Sequence, residues 1–201
     1  GFGLFNAGGI VFMIFGIGVS KMLADRYGKR NIFGIFLFIS TLFVLIFYFL
    51  SSSSITLIFG AQIFHGFFYG ITIPILWAMI ADVADYSEWK NNRRATAIIF
   101  SAMMVGLKLG LTFGSAIIPS YLENYGYVTE QFGKNIFRLN GTYIRTFIDQ
   151  SESAVNATKS LVSIMPSIPF IIASGLLFFY VIDKNLEDKI EKDLSLRRKN
   201  N

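Results

Sequence analysis

Apolar residues run along this chain in five long blocks, and charge is largely confined to the stretches between them. Residues 1–20 contain no Asp, Glu, Lys or Arg, and neither do residues 31–81 or 160–182. From Ala95 to Leu122 a single charge, Lys108, interrupts an otherwise uncharged run. A helix needs about 20 apolar residues to cross a hydrocarbon core about 30 Å thick. The blocks therefore predict spans at about 2–22, 31–50, 55–81, 95–118 and 160–182. Only helices and closed barrels satisfy every backbone polar group inside a bilayer. Barrel strands would alternate apolar and polar over about 10 residues, whereas these blocks are about twice that long and apolar throughout. An all-α integral membrane protein with five transmembrane helices is expected.

The connections alternate in charge. KMLADRYGKR carries Lys21, Arg26, Lys29 and Arg30, while SSSSIT carries none. DVADYSEWKNNRR carries Lys90, Arg93 and Arg94, and the tail carries Lys184, Lys189, Lys192, Arg197, Arg198 and Lys199. Basic residues accumulate in cytoplasmic loops and set orientation. The basic connections and the C-terminus are therefore expected on the cytoplasmic side of the cell (inner or plasma) membrane. The N-terminus and the polar insertion 119–159 are expected outside. That insertion predicts a small cap or a short amphipathic helix. The tail, 183–201, alternates acids and bases and predicts a solvated helix or a disordered end.

Composition adds exclusions. Only 15% of residues are charged, against about 25% in soluble domains. The net charge of +5 is explained by the positive-inside bias, so no nucleic-acid partner is expected. With no Cys and one His, there is no thiol nucleophile and no His-based metal cluster. His65 lies among aromatic residues and reads as a satisfied bundle histidine. No phosphate-binding glycine loop and no nucleophile–base pair is present. The chain is therefore not expected to be an enzyme, nor to hold a catalytic residue, metal or cofactor. It begins at Gly1 in mid-pattern, as a fragment would. Glycine is frequent within the spans, and Gly106, Gly110 and Gly114 recur every four residues. Small residues allow close helix approach in lipid, so that stripe is expected to be a packing face.

Two connections carry candidate chemistry. In LADRYGKR, Asp25, Arg26, Gly28, Lys29 and Arg30 surround a tight turn that needs Gly28, because glycine takes positive φ at little cost. In WAMIADVADYSEWKNNRRA, Asp82 and Asp85 share a helix face at i, i+3 where the third span leaves the membrane. Arg93 and Arg94 open the next span, so acids and arginines are expected to meet. They form either a solvated loop whose ion pairs contribute about 0–1 kcal/mol each, or a charge lock that breaks in another conformation. Lys108 lies near the middle of its span, where a charge costs about 2.5–3.5 kcal/mol on insertion scales. Such a residue faces a bundle interior or a watery cavity.

The first connection resembles the loop signature of the major facilitator superfamily. DVADYSEWKNNRRATAIIFSAMMVGLKLG resembles, more specifically, the glycoside–pentoside–hexuronide:cation symporters, the melibiose permease family. Their pattern of an Asp, then Asp-Tyr-Gly/Ser-Glu-aromatic-Lys, then Arg, then a helix with a buried Lys is matched here without gaps. It falls on Asp82, Asp85 to Lys90, Arg94 and Lys108. The resemblance covers nearly the whole chain except residues 128–150. It implies helices eight to twelve of a twelve-helix transporter, the C-terminal half-bundle, working by alternating access on a sugar or glycoside. The coupling cation, Na⁺ or H⁺, would be held by acids of an N-terminal half that these residues do not contain.

The resemblance further implies that Lys108 faces the central cavity and balances carboxylates of that half; the alternative is a structural lysine paired for assembly. Asp82, Asp85 and Arg94 would belong to a cytoplasmic gate. Trp77 is a candidate sugar-facing aromatic, with bundle packing the alternative. Met103 and Met104 stand where the melibiose permease has a Gln-Thr pair and cannot donate the same hydrogen bonds, which argues against melibiose as substrate. Two other functions fit the spans: a carrier of lipid or another non-sugar solute on the same fold, and a non-transporting membrane scaffold or remnant.

Overall fold

Each apolar block forms helix. The structure, a computed structural model, describes residues 2–51, 53–128, 136–139, 142–145 and 150–199. Four long helices are α1 (Phe2–Tyr27), α2 (Lys29–Phe49), α3 (Ile55–Asn91) and α4 (Thr96–Asn124). A fifth segment is made of α5 (Glu152–Val162) and α6 (Ile164–Leu176), closed by a 3-10 turn at Leu177–Phe179. All five are long and apolar enough to cross a membrane. Helix α7 (Lys184–Lys199) follows.

The helices overrun the apolar blocks at the end of the bundle that carries most basic residues. Helix α3 has 37 residues and so is about 55 Å long, against a hydrocarbon core of about 30 Å. Its last turns, from Asp82 to Asn91, carry their charges beyond the apolar block. The fifth segment breaks at Ser163. Pro166 lacks an N–H, and its ring clashes with the carbonyl four residues back. Nearby carbonyls are served by side chains instead: Ser163 Oγ donates to the Lys159 carbonyl at 2.5 Å and Ser167 Oγ to the Ser163 carbonyl at 2.6 Å.

Helix enters the polar insertion from both sides, and α5 supplies a short amphipathic helix at its C-terminal end. Helix α4 continues through Pro119 to Asn124, and helix resumes at Glu152, before the expected start at Ser160. Among the described residues between them is a two-stranded antiparallel ribbon, β1 (Ile136–Leu139) with β2 (Thr142–Arg145). Residues 129–135, 140–141 and 146–149 of the region singled out at 128–150 lie outside the described residues.

Helix α3 is the centre of the bundle, with α1 and α2 against it and α6 against α2. Ala24, Ile32, Phe33, Leu37, Ile71, Ile75 and Met79 form the main buried cluster. In lipid the association of such helices rests on close packing rather than on exclusion of water. Helices α1 and α3 touch through glycines. A Cβ on Gly66 would lie 2.3 Å from the Gly9 carbonyl oxygen, and one on Gly70 would lie 2.2 Å from that of Met13. The stripe of Gly106, Gly110 and Gly114 behaves otherwise. Nothing approaches within 4 Å of where their Cβ atoms would stand, and α4 has no buried residue. The packing face expected there has no partner among the described residues.

The tail is neither solvated on all sides nor without structure. Ile182, Ile190 and Leu194 are buried against Val83, Tyr86, Trp89 and Tyr180. Leu186, Ile190 and Leu194 recur every four residues and so line one face of α7. Where water surrounds α7, burying such side chains contributes roughly 1.5–3 kcal/mol each. Asp183 caps the helix, its Oδ1 accepting from the Leu186 N–H at 2.8 Å.

Candidate functional site

The α1–α2 connection is a single residue. Gly28 takes φ of 84°, and a Cβ there would meet the Cβ of Lys184 at 3.2 Å. The turn therefore requires glycine twice over, for its backbone and for the passage of the chain entering α7. It places Lys29 and Arg30 on the first turn of α2. Lys29 Nζ donates to both carboxylate oxygens of Asp82, at 2.7 and 2.8 Å, and lies 3.0 Å from Glu187 Oε1. One ammonium thus joins α2, α3 and α7. Arg30 Nε donates to the Leu177 carbonyl at 2.9 Å and Nη2 to that of Phe178 at 3.0 Å. The Leu177 carbonyl also accepts from the Tyr180 N–H at 3.1 Å, and a cation suits the carbonyl end of a helix. Asp25 and Arg26 stay exposed and make no ion pair among the described residues; the Arg26 guanidinium lies 5.2 Å from the Tyr27 ring. The loop signature therefore divides, with Gly28, Lys29 and Arg30 engaged in the fold and Asp25 and Arg26 facing outward.

The acids of α3 also divide. Asp85 meets Arg94 as expected, with Nη2 3.0 Å from Oδ1, and Arg94 Nε lies 3.8 Å from Glu88. Asp82 turns to Lys29 instead of to Arg93 or Arg94. The Arg93 carbonyl accepts from Ser87 Oγ at 3.0 Å, closing the α3–α4 connection. Arg198 of α7 reaches Glu88 at 3.0 Å and approaches Asp85 at 3.9 Å. Asp85 Oδ1 is buried and accepts no hydrogen bond, so both arginines hold it by charge without an aligned N–H. A cleft of about 430 Å³ lies between the Lys29 and Arg198 clusters, with Glu191 and Ser195 on its α7 wall.

Helix α7 is fixed by polar anchors as well. Trp89 Nε1 donates to Asp193 at 2.9 Å, and Arg197 Nη1 donates to Asn92 Oδ1 at 2.9 Å. The Tyr180 hydroxyl donates to the Met79 carbonyl at 3.2 Å. Tyr180 lies past the 3-10 turn. Burial first, then the nearby Asp82 and Glu187 carboxylates, push its phenol above the ordinary tyrosine range, so it remains a donor. The sequence reading missed Glu187, Glu88, Arg198 and Asp193 as members of this cluster. The four-residue apolar spacing in the tail was the available signal.

Lys108 lies elsewhere, about 18 Å along α4 from Thr96. Its side chain is exposed and forms no ion pair among the described residues. Trp77 is 41% exposed and stacks on Phe100, with centroids 6.4 Å apart and planes 16° from parallel. Phe100, Met104 and Lys108 follow at four-residue steps and share one side of α4. Met104 is exposed and Met103 half-buried. An aromatic stack thus leads along an apolar stripe to a lone ammonium. His65 is a bundle histidine, with Nδ1 2.9 Å from Ser40 Oγ and the ring stacked on Tyr69. These groups suit binding and conformational linkage.

Comparison with known proteins bears on the family. The profile of the family described as MFS/sugar transport protein matches residues 1–184. A putative glycoside/cation symporter of Escherichia coli, YagG, is 30% identical over 119 residues, 59% of this chain and 26% of that protein. The inner membrane symporter YicJ of the same organism is 40% identical over 70 residues, 35% of this chain and 15% of its own length. The isoprimeverose transporter of Lactiplantibacillus pentosus is 30% identical over 125 residues, 62% of this chain and 22% of its own. The region matched is thus about a quarter or less of each relative's length.

Proposed function

Because this chain belongs to the MFS/sugar transport protein family, a family of membrane transporters and not of enzymes, we propose that it supplies the C-terminal half of a cation-coupled sugar or glycoside symporter. Its helices would be the eighth to twelfth of twelve. The carrying observation is Lys108, an exposed ammonium deep in an apolar helix and without an ion pair among the described residues. A charge at that depth is costly and marks a functional pathway. Its partner is proposed to be a carboxylate of an N-terminal half, where Na⁺ or H⁺ would bind. Transporter sites lie near the midplane between repeats, and the stripe from Trp77 to Lys108 would form this half's wall of the cavity. Trp77 offers a flat apolar face and one N–H donor to a sugar ring. The relatives named as glycoside and isoprimeverose transporters support this substrate class. Met103 and Met104 favour a glycoside other than melibiose.

The charged clusters would form part of a gate at the basic end, which this reading places in the cytoplasm together with the C-terminus. The gate is closed while the cavity opens outward, and the two halves rock about the site. The test uses the full-length protein with Lys108→Gln, measuring membrane yield, monodispersity and uptake of labelled glycosides under Na⁺ or H⁺ gradients. Retained folding with loss of coupled uptake is expected. Unchanged coupled uptake would overturn the proposal, and loss of folded protein would assign Lys108 to assembly instead.

A further inference from the structure

A groove of about 430 Å³ runs between α2 and the end of α6, on the opposite flank of α2 from the cluster at Asp82. Its walls are Ile35, Phe38, Ile39, Leu177 and Phe178. Arg30 and Asn31 stand at its basic end. The volume falls in the range of clefts that hold ligand-sized molecules, roughly 300–1,000 Å³. Arg30 spends Nε and Nη2 on the Leu177 and Phe178 carbonyls, and Nη1 makes no hydrogen bond among the described residues. No carboxylate pairs with this guanidinium among those residues either. Phe178 and Phe179 are each 81% exposed immediately beside it, at the level where the helix leaves the apolar block. The Phe178 ring extends the apolar wall to the mouth of the groove.

We propose that this groove binds an anionic phospholipid of the adjacent leaflet. An acyl chain would lie along Phe38 and Ile39, and the phosphate would rest against Arg30 and Asn31. The argument is charge complementarity at the mouth of an apolar slot. An unpaired guanidinium at a bilayer surface attracts anionic headgroups, and the slot excludes a ligand that is polar throughout. Arg30 holds the end of α6 at the same time through Nε and Nη2, which fixes the guanidinium at the mouth of the groove. The inference rests on membrane placement alone and not on the sugar reading.

The test uses the full-length protein with Phe38→Trp, in vesicles of phosphatidylcholine containing one-fifth phosphatidylglycerol. Bromine is carried on the acyl chains of one lipid or the other, and emission is taken as the difference from the parent protein. Enrichment of phosphatidylglycerol at the reporter is expected, roughly fivefold for one basic residue at the surface. Ile172→Trp, at an exposed position of α6 off the groove, should show no preference. About 1 M NaCl, where the Debye length is about 3 Å, should erase the preference without any change in the protein. Arg30→Gln should also erase it, and Arg30→Lys should retain it in part. Equal quenching by both brominated lipids, or a preference that survives both salt and Arg30→Gln, would overturn the proposal. If Arg30→Gln does not fold, the salt arm alone decides.

Discussion

Lys29→Met is the sharpest perturbation of the charged cluster. The ammonium lies between Asp82 and Glu187, and removing it leaves two carboxylates facing each other across the α3–α7 contact. The side chains are 16–23% exposed, which places the site between two measured regimes. Exposed pairs contribute about 0–1 kcal/mol, and breaking a fully buried pair costs about 3–5 kcal/mol. A cost of about 2 kcal/mol follows, discounted for residual solvent. It falls on the docking of α7, because Glu187 belongs to the element held least by the membrane. Two kcal/mol corresponds to about a 30-fold rise in the undocked population. Limited trypsin digestion of the full-length protein reads that population, since Lys189, Lys192, Arg197 and Arg198 all lie in α7. When opening is fast relative to cleavage, the cleavage rate follows the open fraction. Glu187→Gln leaves the Lys29–Asp82 bond in place and should raise cleavage only about 2–5-fold. Cleavage of Lys29→Met within twofold of wild type would refute the reasoning and return the cluster to the status of a solvated loop.

Other outcomes follow from the same contacts. Leu194→Ala, at a buried position of α7, should cost about 2–4 kcal/mol of docking, visible as faster hydrogen exchange of α7 amides with α1–α3 unchanged. Gly66→Ala should destabilise the bundle by about 1–3 kcal/mol, because its methyl would sit 2.3 Å from the Gly9 carbonyl oxygen; a lower melting temperature in detergent checks it, and an unchanged one refutes the close crossing. Asp85→Asn removes the charge that Arg94 and Arg198 hold. If the cluster gates, accessibility of cysteine probes in the cavity should shift toward the inward-open pattern, and unchanged labelling would remove Asp85 from the gate.

The spans were legible in the sequence because lipid leaves the backbone few choices. An uncharged run of twenty residues in a bilayer must be helical. The single-residue turn was legible for a similarly local reason: only glycine takes the φ that Gly28 requires. The facing of Asp85 and Arg94 could be anticipated because a short connection keeps them close. The remaining partners could not. Lys29 and Asp82 are 53 residues apart in sequence, and Arg30 and the Leu177 carbonyl 147. No periodicity encodes which of several acids a given ammonium will reach; that is decided by how α2, α3 and α7 converge. The ribbon within the polar insertion was hidden by its shortness, since four-residue strands leave little alternation to read. The open stripe of α4 marks the converse limit. Sequence supplied the small residues and the lone ammonium, but whether a stripe packs depends on what stands opposite, and within this chain nothing described does. What the sequence determined alone was which segments enter the membrane, a question of solvent and chain length. The tertiary structure decided which charges meet, a question of distances between segments that are remote along the chain.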